Sequence, residues 1–262
     1  MFFDADRCIY RKAQLEEVIC QLRFPTILSI QSKEPVDFQE AIRGDYPKYL
    51  ARQDSLPPKV SGRPGGFKID EQPPTTNYQF LSADGRWKVN LTKDFVSLST
   101  PAYTCWEDFA KRLDKILASF IETYKPAYFE RVGLRFINAV SRKALDIEDR
   151  PFADLIQPGY IGLLGEDDIE ERSFGGMMQN ADMSIPGGCR MNLRSGLGMV
   201  QKNNVRDKEM RFILDIDIYM VGNIPINHSA ASLNTVHINA DRVFRGAITK
   251  TLHDAMEPDY NG

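Results

Sequence analysis

The tripeptide Leu22-Arg23-Phe24 returns as Leu134-Arg135-Phe136, and the segments after each copy match in order. An ordered internal repeat constrains a chain strongly, because similar patterns must find similar local structures and then bury their apolar faces together. Phe38, Ile42 and Tyr46 recur with the same spacing as Phe152, Ile156 and Tyr160. Four-residue spacing places each trio on one helix face. Lys88-Val89-Asn90-Leu91, behind the turn Asp84-Gly85, is matched by Arg190-Met191-Asn192-Leu193 behind Gly187-Gly188. Each half closes on an amphipathic helix, with Phe109, Leu113, Lys115 and Leu117 in the first and Phe244, Ile248, Lys250 and Leu252 in the second. The segment order survives while the connecting loops change length. The expected organisation is therefore a first repeat unit over residues 1–125 and a second over 126–262, fused into one structural domain.

Within each unit the pattern reads strand, helix, three strands, helix. Val18, Cys20, Leu22 and Phe24 alternate with Ile19, Gln21 and Arg23, so the first strand, from about Glu17, has one core face. Pro57-Pro58, Pro64-Gly65-Gly66 and Pro73-Pro74 mark 55–76 as a long irregular loop. Strands are expected over Tyr78–Ser82, Trp87–Leu91 and Phe95–Ser99, and a helix over Trp106–Tyr124 ends at Pro126. In the second unit a strand over Arg131–Val140 precedes a helix carrying Phe152. An acidic loop around Glu166-Asp167-Asp168 then leads to strands near Met178–Ile185, Arg190–Val200 and Arg211–Val221. A polar turn, Lys202–Asp207, joins the last two, and a helix from about Val236 to Met256 closes the chain. The fold class is α+β, an antiparallel sheet with helices on one face and the other face uncovered.

Composition narrows the function classes. A formal net charge of -3 and a pI near 5.7 argue against bulk attraction to nucleic acid or anionic lipid, though not against a local basic patch. Cys8, Cys20, Cys105 and Cys189 lie far apart with no paired spacing, which suggests neither zinc nor a disulfide framework and fits a reducing, cytoplasmic compartment. The start of the chain lacks a basic stretch followed by an apolar one, and no apolar run is long enough for a membrane helix, so no membrane association is expected. His228, His237 and His253 stand in no metal-binding pattern, and no phosphate loop, nucleophile elbow or dinucleotide fingerprint occurs. No cofactor and no catalytic residue is assigned.

Strand alternation directs the candidate site. If Leu22, Phe24, Val89, Leu91, Leu134, Phe136, Met191 and Leu193 face the helices, then Arg23, Lys88, Asn90, Arg131, Arg135, Arg190, Asn192 and Arg194 share the uncovered face. Such a surface, rich in guanidinium and amide, suits an anionic partner. Asp215 and Asp217 belong to the same side and either pair with those arginines across strands or, as two carboxylates two residues apart, offer weak candidate ligands for magnesium. Tyr103, Trp106, Trp87, Tyr124 and Tyr128 form an aromatic group that reads as core or as a pocket wall.

The segments Glu17-Val18-Ile19-Cys20-Gln21-Leu22-Arg23-Phe24-Pro25 and Arg131-Val132-Gly133-Leu134-Arg135-Phe136-Ile137-Asn138 resemble a sporadically distributed, uncharacterised bacterial family of proteins of similar length. The family supplies no reaction, cofactor or catalytic residue, and its patchy occurrence implies accessory genes such as defence or toxin-antitoxin loci. The doubled order also resembles the duplicated saddle of the TATA-binding-protein type, an analogy of fold alone. The function expected is a non-enzymatic cytosolic binding protein that holds a protein or anionic partner on the polar sheet face or its edges. The alternatives are nucleic-acid binding on that face and metal-dependent phosphoryl transfer at Asp215 and Asp217.

Overall fold

A computed structural model describes residues 6–55, 59–63, 66–70, 74–202 and 205–260. The chain opens with β1 (Ile9–Tyr10), β2 (Leu15–Arg23), α1 (Leu28–Ser32) and α2 (Val36–Ile42). Then come β3 (Lys48–Asp54), β4 (Lys59–Arg63), β5 (Gly66–Asp70), β6 (Thr75–Leu81), β7 (Lys88–Leu91), β8 (Phe95–Thr100) and the long helix α3 (Trp106–Tyr124). The rest is β9 (Phe129–Val140), α4 (Pro158–Ile161), β10 (Met177–Ile185), β11 (Cys189–Lys202), β12 (Val205–Ile224), α5 (Ser229–Ala247), α6 (Lys250–Ala255) and β13 (Pro258–Asp259).

Nine strands form one antiparallel sheet in the order β10-β11-β12-β9-β2-β8-β7-β6-β3. The α+β class with helices on one sheet face is therefore observed. Outward from the central pair, β2 is followed by β8, β7 and β6, and β9 by β12, β11 and β10. The seam is antiparallel, with Cys20 opposite Leu134, Gln21 opposite Gly133 and Arg23 opposite Arg131. Helices α3 and α5 cover one face. α3 buries Phe109, Leu113, Ile116, Leu117 and Phe120, each worth roughly 1.5–3 kcal/mol when removed from water. Its end is fixed by Lys125, left-handed at φ 47°, whose N–H reaches the Ile121 carbonyl, just before Pro126. α5 lies across β9 and β12, and one continuous hydrophobic core joins both halves of the chain.

Several expectations are corrected. The 55–76 loop contains the β4/β5 hairpin, with Lys59 opposite Asp70 and Arg63 opposite Gly66, and the unanticipated strand β3 precedes it. Pro57-Pro58, Pro64-Gly65 and Gln72-Pro73 lie outside the described residues, as do Asn203 and Asn204 of the expected polar turn. β12 begins at Val205, well inside that turn. The Phe152 trio is buried as expected, but Phe152 sits on a 3-10 turn, Ile156 on an isolated bridge and Tyr160 on the four-residue α4 rather than all on one helix.

The closing helix starts at Ser229 and breaks at Ile248, which is extended at φ -96° and ψ 150°. The break has a physical cause. Gln157 N–H takes the Ala247 carbonyl, Thr249 N–H takes that of Leu155, and Ile156 bridges Ile248, so the 155–157 segment captures backbone groups that a continuous helix needs. Thr249 then caps α6 by accepting from the Leu252 N–H. Phe244, Ile248 and Leu252 therefore do not share a helix, and in place of the expected Val236–Met256 helix stand two, α5 and α6. The two ends of the chain are also tied: Ile9 of β1 pairs with Asp259 of β13, and Lys12 N–H reaches the Met256 carbonyl. Residues 9–12 thus pack with the second half.

Candidate functional site

The alternation read from the strands is realised. Leu22, Phe24, Val89, Leu91, Leu134, Met191 and Leu193 are buried toward the helices, and Phe136 is half-buried on the same side. On the uncovered face the eight predicted polar residues divide. Arg135 forks onto Asp215 through Nε at 2.7 Å and Nη2 at 2.5 Å, and Arg131 Nη2 reaches both Asp217 oxygens at 2.6 and 2.8 Å. Arg131 also lies over the Tyr219 ring at 4.5 Å. Gly133 makes room for this arrangement, because a Cβ there would stand 2.3 Å from the Arg131 guanidinium. Arg190 pairs with Asp182, and Asn90 donates to Ser97 Oγ at 3.2 Å. Asn192 is exposed. Arg23, Lys88 and Arg194 make no ion pair among the described residues.

Asp215 is buried and Asp217 half-buried. Burial raises the Asp217 pKa, and the guanidinium of Arg131 opposes that shift. The hydrogen bond to Asp215 holds the Arg135 pKa above its ordinary value. Both carboxylates are thus engaged by forks, and a metal ion at either must displace an arginine. Among the described residues no group of three potential ligands stands together as a metal site. Arg211, on the same face and not singled out in the sequence, draws in Glu16 at 3.0 Å, Asp207 at 2.6 Å and Glu209 at 3.2 Å.

On the other face of the sheet, Tyr103 and Trp106 of the predicted aromatic group do line a pocket, whose polar residues the sequence did not bring together. A cavity of about 540 Å³ lies between the start of α3, the middle of α5, β9 and residues 7–15. Tyr103, Trp106, Phe136 and Phe244 form aromatic wall. Trp87 and Tyr124 of the predicted aromatic group instead sit on Phe109, and on Phe38 and Phe120, respectively. Trp106 stacks on His237 at 4.3 Å and 10°. His237 and Asp241, one turn apart on α5, both line the cavity. Beside it, Tyr10 Oη and His253 Nδ1 stand 2.7 Å apart, Arg245 donates to Tyr10 Oη at 2.6 Å, and His253 Nε2 meets Tyr260 Oη at 3.0 Å. That network is accounted for by fastening β1 to the carboxyl-terminal segment.

Burial lowers the His237 pKa to about 4, with the Arg7 charge adding to the effect, and burial raises that of Asp241. For His237 the folded value lies below the ordinary one near 6.5. Between about pH 6.5 and 4 the unfolded chain therefore binds the proton that the native state refuses, and this contribution to stability falls on acidification. The wild type is expected to lose more stability between pH 7 and pH 5 than His237→Phe, which keeps a ring against Trp106 but cannot titrate. Urea midpoints at the two pH values measure it, and equal losses count against the buried neutral imidazole.

No protein-family model matches the chain, and no curated protein is similar to it in sequence. No helix among the described residues is long and apolar enough to cross a membrane.

Proposed function

We propose that the protein is a non-enzymatic cytoplasmic binding protein whose uncovered sheet face holds an acidic segment of a partner protein. The carrying observation is that Arg23, Lys88 and Arg194 have no carboxylate partner among the described residues, on an open face where Arg131, Arg135, Arg190 and Arg211 are each paired with one. Arg194 on β11 stands three strands from Arg23 on β2, and Lys88 on β7 stands two strands away on the other side. At about 4.8 Å per strand and 3.3 Å per residue, Arg194, level with Glu17, lies roughly 24 Å from Arg23, and Lys88, level with Ile19, roughly 16 Å from it, so about eight extended residues span Arg194 to Lys88 while Arg23 lies to one side of that line. In the same reading the mirrored strand order arises from duplication of one unit, giving a saddle of the TATA-binding-protein type, and the two Leu-Arg-Phe segments mark membership of the bacterial family they resemble.

An acidic polypeptide fits this face better than nucleic acid. Sequence-tolerant nucleic-acid binding relies on aromatic platforms beside a dense track of cations. The rings on this face of the nine-stranded sheet are Phe95 and Tyr219, and Arg131 already covers Tyr219. Three widely spaced cations also match sparse carboxylates more closely than a continuous phosphate chain.

Fluorescence anisotropy tests the reading, with a labelled poly-glutamate peptide and a single-stranded oligonucleotide as probes at low salt. The peptide is expected to bind, and an Arg23→Glu/Lys88→Glu/Arg194→Glu variant to lose at least ten-fold in affinity. Because all three side chains lie on the sheet's uncovered face, the variant should fold. Equal binding by the variant, or no binding by the wild type, overturns the proposal, and tighter binding of the oligonucleotide replaces the peptide with nucleic acid.

A further inference from the structure

The inter-helix cavity is on the opposite side of the sheet from the cationic face, and its walls show an unfilled set of polar contacts. The volume of about 540 Å³ falls within the roughly 300–1,000 Å³ typical of small-molecule pockets. Three half-buried groups line it: the Tyr103 hydroxyl, the His237 imidazole and the Asp241 carboxylate. None of the three makes a hydrogen bond or ion pair with another described residue. Three polar residues on one cavity, none with a partner among the described residues, leave their hydrogen-bonding groups free for a single ligand inside it. The neighbours are occupied elsewhere. Gln14 donates to the Lys12 carbonyl and accepts from the Ser141 N–H, Asn138 donates to the Leu214 carbonyl, and Arg7 is engaged with Glu107.

Shape and charge define the ligand. Trp106 and His237 are stacked at 4.3 Å and 10°, so this part of the wall is a pair of parallel planes. Tyr103 meets Phe136 edge-on at 5.6 Å, which closes the wall with aromatic surface. Such surroundings favour a flat π-system. An anion would face Asp241. A cation would face Arg7, Arg242 and Arg245, whose charges already act on Asp241. An uncharged ring avoids both penalties. Its N–H groups can donate to Asp241, while a ring nitrogen accepts from Tyr103 or from a protonated nitrogen of His237.

We propose that this cavity binds a small, planar, uncharged, aminated nitrogen heteroaromatic of about purine size, held by aromatic contact and by hydrogen bonds to Tyr103, His237 and Asp241. Titration calorimetry on the full chain tests it with adenine as the probe, and with tryptamine and indole-3-acetate as cationic and anionic rings of similar size. Adenine is expected to bind most tightly. His237→Phe and Asp241→Leu are each expected to weaken it at least ten-fold while the thermal midpoint of the free protein stays close to that of the wild type, because both side chains are only half-buried and have no partner among the described residues. No heat with adenine, tighter binding of either charged ring, or affinity unchanged in both variants overturns the proposal. The ranking of the three probes on the wild type decides the matter even if a variant folds poorly. The sheet-face variant Arg23→Glu/Lys88→Glu/Arg194→Glu should bind adenine normally.

Discussion

Arg135→Ala is expected to destabilise the protein by about 3 kcal/mol, whereas Arg23→Ala, the arginine of the other Leu-Arg-Phe tripeptide, should change stability by less than about 0.5 kcal/mol. The two residues follow the same leucine and precede the same phenylalanine, yet their surroundings differ. The Asp215 side chain is only 7% exposed and takes two hydrogen bonds from Arg135, so removing the guanidinium leaves a buried carboxylate with no adequate replacement. Arg23 is exposed and pairs with no described carboxylate. The loss at Arg135 measures the stranded charge rather than the net worth of the pair, because both groups are already desolvated in the native state. Arg135→Met/Asp215→Leu is therefore expected to recover most of the loss. Urea unfolding of the four proteins measures this. A small loss for Arg135→Ala, or a double variant as unstable as the single, would show that the fork is not what keeps Asp215 buried.

The same comparison shows how much was legible in the sequence. Period-two alternation around Leu22, Leu134, Val89 and Met191 placed every one of those side chains on the helix face, because one uncovered sheet face leaves no freedom of register. It placed the arginines on the other face for the same reason. Alternation does not report which carboxylate stands on the neighbouring strand. Asp217 lies directly opposite Arg135, yet Arg135 pairs with Asp215 and Arg131 with Asp217, a diagonal choice made by side-chain packing. Of the cavity only the aromatic wall of Tyr103 and Trp106 was legible, as one of two readings. Its walls come from residues 7–15, the start of α3 and the middle of α5, distant in sequence, and β1 within the first of these is paired with β13 near the other end of the described residues. The four-residue spacing of His237 and Asp241 was visible. With the helix expected to begin near Val236, however, His237 fell in its first turn, and nothing local placed it under Trp106.

The two phenylalanines of the repeated tripeptide carry the second large effect. Phe24→Ala is expected to cost about 3–5 kcal/mol, the range for emptying a large, fully packed aromatic site. Phe24 is 1% exposed, and its ring lies 4.7 Å from that of Phe120, which is itself fully buried on α3. The space left would lie between strand and helix, where neither element can close without losing contacts along its length. Phe136 occupies the same place in the other tripeptide but lines the cavity, so its removal enlarges a space that already exists and strips one wall from it. Phe136→Ala should cost less than half as much as Phe24→Ala. If the cavity takes a flat ring, the two variants should also separate in function: Phe24→Ala, where still folded, keeps its affinity for adenine, and Phe136→Ala loses it. Thermal unfolding and calorimetry on both variants supply the comparison. Equal destabilisation by the two would mean that the cavity is not open in solution, and that the halves of the molecule are packed as similarly as their tripeptides suggest.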